Sequence, residues 1–166
     1  MKRKCFAPVE KSDARVLILG SMPGVESLRQ NQYYAFKHNK FWQIMSELIG
    51  FENSLSYEKR CAVLVENRIA LWDVLADCHR PGSLDSAISQ EQANDFESFF
   101  REHKNLQAIF FNGQKAGQCF KKHVLKKLPT LCASLKITVL PSTSPANAGT
   151  KYDAKLKAWR EILDYI

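Results

Sequence analysis

At 166 residues, 45% apolar and 25% charged, the chain has the composition of an ordinary globular domain and can bury a core without disulfide or metal staples. No apolar run is long enough to cross a bilayer, and the N-terminal charge cluster MKRK has no apolar segment behind it, which argues against a secretory leader. The five cysteines (Cys5, Cys61, Cys78, Cys119 and Cys132) are scattered without a C-x-x-C pair, which argues against a disulfide framework, a zinc ribbon or an iron–sulfur cluster, while the net charge of +7 suits an anionic partner.

In chain order, RVLILG (Arg15 to Gly20) is an apolar run ended by glycine, the pattern of a buried strand. NKFWQIMSELIG places Phe41, Met45, Leu48 and Ile49 at helical spacing, with Gly50 as a stop. SYEKRCAVLVENR repeats the pattern with Tyr57, Cys61, Leu64 and Val65. IALWDVL reads as a second strand, and DCHRPGSLDSAIS (Asp77 to Ser89) as the largest irregular stretch. QANDFESFFREHK gathers Phe96, Phe99 and Phe100 on one helical face. QAIFFNG is a third strand, followed by a basic helix from about Gln114 that carries Lys121, Lys122, Lys126 and Lys127. KITVLP is a fourth strand, and a last helix from about Tyr152 stacks Leu156, Trp159, Leu163 and Ile166. Strands alternating with helices predict a single α/β domain over residues 1–166, a three-layer sandwich around a central, mostly parallel four-stranded sheet.

Ligands of open parallel sheets bind beyond the carboxyl ends of the strands. Three polar loops leave such ends: GSMPGVES, NGQKAG and PSTSPANAGTK. Close behind the first comes YYAFKHNKFW (Tyr33 to Trp42), which mixes rings, basic groups and an amide as a pocket for a flat polar ring on an anionic chain would. GSMPG is neither a phosphate-binding G-x-x-x-x-G-K-[ST] loop nor a G-x-G-x-x-G turn, and no G-x-S-x-G elbow occurs. The hydroxyls of PSTSPANAGTK suit a phosphate clamp, although Ser144 or Thr150 could instead cap the following helix. Asn39 could likewise cap the helix it precedes, and Asn112 could be a plain turn residue before Gly113. Phe41 and Trp42 fit the core face of their helix.

Taken together, the motifs resemble the uracil-DNA glycosylase superfamily, most closely its hypoxanthine-DNA glycosylase (DNA-deoxyinosine glycosylase) branch. G-S-x-P-G-x-x-S is matched by Gly20, Ser21, Pro23, Gly24 and Ser27. Y-Y-A-x-x-x-N-x-F-W is matched by Tyr33, Tyr34, Ala35, Asn39, Phe41 and Trp42. P-S-T-S-P-A is matched by residues 141–146, and RPGSLDSAI is similar to the branch's middle segment. Met22 stands where many superfamily members carry Asp or Asn; the branch is similar in lacking it and gives the handling of water to the asparagine matched by Asn39. Phe36-Lys37 replaces the His-Pro usual in relatives. Leu140 stands where some relatives place a base-contacting His or Asn, so uracil recognition through that contact is not expected.

The resemblance implies a monofunctional DNA glycosylase that flips a deaminated base out of the stack and hydrolyses its N-glycosidic bond, with hypoxanthine the first candidate and uracil or xanthine behind it. It implies Asn39 as the residue that holds water for an oxocarbenium-like sugar carbon, and Tyr34 as the stacking platform. The backbones of Ser21 and Met22 and the amide of Asn112 are expected to line the base pocket. Ser142 and Ser144 are expected to grip phosphates, and Pro145–Ala146–Asn147 to wedge into the vacated stack. No catalytic lysine, metal or organic cofactor is implied; the partner is DNA containing deaminated bases, with no membrane. A cytoplasmic, nucleoid-associated monomer is expected. The competing readings are a non-catalytic sensor of damaged DNA and a hydrolase of free nucleosides.

Overall fold

The computed structural model describes residues 2–166. Strand β1 (Lys2–Lys4) leads to β2 (Val16–Gly20), all five residues of which are buried. Helices α1 (Val25–Gln30), α2 (Phe41–Ile49) and α3 (Tyr57–Glu66) follow. Gly50 ends α2 in the left-handed region at φ +83°, and the Ser56 side chain caps α3 by accepting from the Lys59 N–H. Next come β3 (Ile69–Asp73), β4 (Leu75–His79) and β5 (Ser89–Ala93), then α4 (Phe96–Glu102), capped by Asp95. Strand β6 (Ala108–Asn112) runs into α5 (Gln114–Phe120), which continues as a wider π-helical turn to Leu125. The short α6 (Pro129–Cys132), β7 (Lys136–Leu140) and α7 (Tyr152–Trp159) complete the chain.

The central sheet has the order β3-β2-β6-β7, and each neighbouring pair is parallel. Its inner strands are continuous apolar runs because both faces are covered. Successive strand residues point to opposite faces, so Phe110 and Phe111 report on different layers. Phe110 meets Tyr165, just beyond α7, whose Trp159 packs on Phe41 of α2. Phe111 meets Phe120 of α5, which packs in turn on Phe96 and Phe100 of α4. The predicted three-layer sandwich is therefore the observed one.

Three details differ from the sequence reading. The segment taken as the largest loop is framed by β4 and β5, which join β1 in an antiparallel sheet of order β1-β4-β5. Its outer strands are polar or basic (KRK, SQEQA), so the apolar alternation that marks a strand is missing from them, and backbone pairing defines them. Because Gln92 and Ala93 belong to β5, the phenylalanine helix starts only at Phe96. Finally, α7 tightens into a 3₁₀ turn over Arg160–Asp164, which carries Ile162 inward and leaves the predicted Leu163 only half-buried.

Candidate functional site

The loops leaving the carboxyl ends of β2, β3, β6 and β7 converge on a cleft of about 1010 Å³. Every site residue expected from the sequence lines it: Ser21, Met22, Tyr34, Asn39, Asn112, Ser142, Ser144, Pro145, Ala146 and Asn147. Asp73, Thr143 and Phe36 line it as well, and sequence reasoning had not placed them there.

The polar centre of the cleft is a chain of three side chains. The Asn39 Oδ1 accepts from the Phe41 N–H at 2.9 Å and from the Thr143 Oγ1 at 2.7 Å. The first contact is the helix-start bond that the sequence allowed as an alternative role. It also fixes which end of the amide is oxygen, since an NH₂ there would face another donor. Thr143 reaches Asn112 twice: its N–H donates to Oδ1 and its Oγ1 accepts from Nδ2, both at 2.9 Å. The wholly buried Thr143 therefore joins the two predicted amides. Asn112 is no plain turn residue, and its amide spends one hydrogen bond at each end on the loop rather than on a ligand. The Asn39 Nδ2 has no protein acceptor among the described residues and is the uncommitted end of that amide.

Of the aromatic stretch, Tyr33, Phe41 and Trp42 are core residues, as the helix pattern indicated for the last two. Tyr34 is different. It sits at φ +54°, a conformation unusual for a bulky side chain, and its ring stands edge-on to Phe41 at 4.2 Å. This backbone sets the Tyr34 hydroxyl against Gly20, while Tyr33 packs in the core, and both tyrosines line the cleft. The Tyr34 hydroxyl lies near the Asn112 amide without a well-formed hydrogen bond, and burial, reinforced by the negative charge of Asp73 and only partly offset by Asn112, pushes the phenol far above its usual range. Phe36, one of the residues replacing His-Pro, is an exposed ring on the rim against His38.

Asp73 ends β3 beside Gly20, which ends β2. A Cβ at Gly20 would come within 2.6 Å of the Asp73 Oδ1 and 2.9 Å of the Tyr34 hydroxyl, so only glycine fits between them. Asp73 is 3% exposed and its Oδ2 has no hydrogen-bond partner. Burial raises its pKa to about 7, against the opposing charge of Arg80 and with the support of Asp85. The one sequence signal for it was a carboxylate closing an apolar strand, IALWD.

The first motif is braced from outside. The Ser21 hydroxyl donates to Asp85 at 2.6 Å, and the buried Arg80 guanidinium donates to the Met22 carbonyl at 2.9 Å and pairs with Asp85 at 3.2 Å. The side chain of Ser21 and the carbonyl of Met22 are thus committed to the segment between β4 and β5, although both residues line the pocket.

The third loop is internally tied. The Ser142 Oγ accepts from the Ser144 N–H and the Ser144 Oγ from the Ala146 N–H, each at 3.2 Å. Neither Ser144 nor Thr150 caps α7, which starts after Lys151 without a side-chain cap. Asn147 folds back, its Nδ2 donating to the Ser142 carbonyl at 3.2 Å, while Pro145 and Ala146 are exposed. Behind the loop lies Lys155, 5% exposed, whose ammonium donates to the Ser144 carbonyl at 3.5 Å. Burial, and then the charge of Lys40, lowers its pKa. Among the described residues, no cluster of three His, Cys, Asp or Glu could hold a metal ion.

An α/β sandwich that admits a flat ring at its strand ends and offers hydroxyls to the chain bearing that ring has the makings of a DNA glycosylase. The chain belongs to the uracil DNA glycosylase superfamily, whose family profile matches residues 7–163. Within it, the chain falls in the hypoxanthine-DNA glycosylase branch. It is 40% identical over 149 residues to the hypoxanthine DNA glycosylase of Methanosarcina acetivorans, covering 89% of each protein. It is 39% identical over 119 residues to that of Methanosarcina barkeri, covering 71% of this chain and 75% of the relative. A solution NMR structure from Methanosarcina acetivorans, described as a candidate uracil DNA glycosylase, is similar with a TM-score of 0.82 and 36% identity, over 98% of this chain and 96% of that one. Membership makes the chain a hydrolase of N-glycosyl bonds that removes deaminated bases, with DNA as its partner.

Proposed function

We propose that this protein is a monofunctional glycosylase that excises hypoxanthine from DNA at the start of base excision repair, acting as a monomer inside the cell, on the nucleoid. The observation that carries the reading is the amide of Asn39, fixed at the cleft by the Phe41 N–H and the Thr143 hydroxyl with its Nδ2 unspent. Extruding the base costs a few kcal/mol, and stacking on an aromatic ring such as that of Tyr34 returns about 1–3 kcal/mol of it. Ser142 and Ser144 face the flanking phosphates, and the Pro145–Ala146 tip enters the gap. As the glycosidic bond lengthens, the sugar carbon becomes cationic, and a weakly basic amide suffices to steer water onto it. The Asn39 Nδ2 anchors that water, while the Phe41 N–H and the Thr143 hydroxyl hold the amide in place. Among the described residues no lysine lines the cleft, which supports hydrolysis without a Schiff base and without strand cleavage.

The test is single-turnover release from duplexes carrying hypoxanthine, xanthine, uracil or a normal base. Hypoxanthine is expected to be released fastest, with no borohydride-trapped adduct, and Asn39→Ala to slow release by about 100-fold or more. Release from uracil alone would remove the hypoxanthine assignment. Tight lesion binding without release would favour a damage sensor.

A further inference from the structure

Asp73 closes a strand whose other residues are wholly apolar and buried, at the end of the sheet where the cleft opens. A carboxyl in that position needs a partner, and its Oδ2 has none. The nearest polar neighbour across Gly20 is the Tyr34 hydroxyl, which also lacks one. Two unpartnered polar groups that share one wall of a ligand cleft are groups kept for the ligand. An aromatic ring lying on Tyr34 would bring its edge within reach of Asp73.

We propose that Asp73 enters the reaction as a neutral acid and gives its proton to an acceptor nitrogen of the departing purine. This rests on the reading of the cleft as a base-excising site. As the C1′–N9 bond breaks, its electron pair moves onto the base; the Asp73 O–H breaks and a new N–H forms on the purine, which leaves neutral. Water adds its oxygen to C1′ and loses a proton to solvent, from which the Asp73 carboxylate is protonated again. A purine offers ring-nitrogen acceptors for this transfer. Uracil departing from N1 offers carbonyl oxygens instead and gains less.

The surroundings suit an acid that is neutral near pH 7. Burial is the main cause of the raised pKa of about 7. The charged and titratable groups facing Asp73 are Arg80 and Asp85 from the segment after β4, Tyr33 and Tyr34 from the first cleft loop, and Cys5 after β1. Arg80 alone favours the carboxylate, and it is shared with Asp85 and with backbone carbonyls.

The experiment is the pH dependence of single-turnover hypoxanthine release between pH 5.5 and about 9, for the native enzyme and Asp73→Asn. The variant keeps the shape and can still donate a hydrogen bond, but it cannot transfer a proton. The native rate is expected to fall about tenfold per pH unit above roughly pH 7. The variant should be about 10–100-fold slower near pH 6, flat with pH, and less than about threefold slower on uracil. Its affinity for a non-cleavable lesion duplex and its thermal midpoint below pH 6 should match the native protein's. Native-like release by the variant, or a flat native profile, would overturn the proposal. A loss explained by weaker duplex binding or by unfolding would overturn it too, by making Asp73 structural. A native enzyme silent on every lesion would instead overturn the glycosylase reading and this step with it.

Discussion

Thr143 shows most plainly what a single residue does in this cleft. Its hydroxyl sits between the amides of Asn39 and Asn112, donating to one and accepting from the other. Removing the hydroxyl leaves the Asn112 Nδ2 short of an acceptor in a buried site, at a cost of about 1–3 kcal/mol. It also frees Asn39 to rotate about its one remaining tether, the Phe41 N–H. Thr143→Ala is therefore expected to lose that stability in urea unfolding and to slow base release about 10–100-fold at saturating DNA, with little change in duplex affinity. Thr143→Ser, which restores the hydroxyl, should recover most of both. A Thr143→Ala enzyme with native turnover would show that Asn39 needs no second anchor. The motifs PSTSPA and YYAFKHNKFW were readable one by one. Their coupling was not, because it spans 104 positions and no local pattern encodes it. The same holds for Asp73, whose importance depends on Gly20 and Tyr34 arriving beside it. The bond from the Asn147 Nδ2 to the Ser142 carbonyl was equally out of sight, since the sequence shows only that Asn147 extends the loop.

At the level of elements, legibility followed burial. The parallel strands were evident because both faces of the sheet demand apolar residues. The antiparallel sheet was hidden because the sequences of its outer strands, KRK and SQEQA, carry no apolar alternation. One tie between that small sheet and the rest is Glu91 of β5, which pairs with Lys115 of α5 and with His123 in the π-helical turn. Burial alone would raise the Glu91 pKa, but hydrogen bonds from Lys115 and His123 outweigh it and hold the carboxyl near 2. A carboxyl whose folded pKa lies below its unfolded value contributes stability above the unfolded value of 4.5, and that contribution fades as pH falls toward 2. Glu91→Gln should therefore cost about 1–3 kcal/mol at pH 7. The gap between variant and native protein should close progressively below pH 4.5 in denaturant titrations. A gap that stays constant with pH would mean that packing rather than charge is lost. The segment between β4 and β5 also carries Arg80 and Asp85, so this sheet is the outer brace of the first cleft loop.

Across the whole molecule the question is where the +7 charge meets DNA. The sequence drew attention to the lysines of the basic helix, but geometry shifts the emphasis. Helix α5 starts at the cleft rim with Gln114 and runs away from it. At 1.5 Å per residue, Lys122 and Lys126 lie roughly 12–18 Å along the axis, beyond the screening length of about 8 Å at physiological salt. Lys37, Lys40 and Lys151 are exposed and adjoin the cleft residues Phe36, Asn39 and Thr150. Lys155 adds a buried cation under the serine loop. Each phosphate neutralised contributes about 0.9 to the slope of log affinity against log salt. Replacing Lys37, Lys40 and Lys151 together with Gln should therefore lower that slope by about 2–3 and weaken binding alike on lesion and normal duplexes. The same change at Lys121, Lys122 and Lys126 should lower it by less than about 1. Fluorescence anisotropy from about 50 to 200 mM salt separates the two sets. The reverse ranking would place the duplex across the basic helix, and the path proposed for the flanking strand past Ser142 and Ser144 would have to be redrawn.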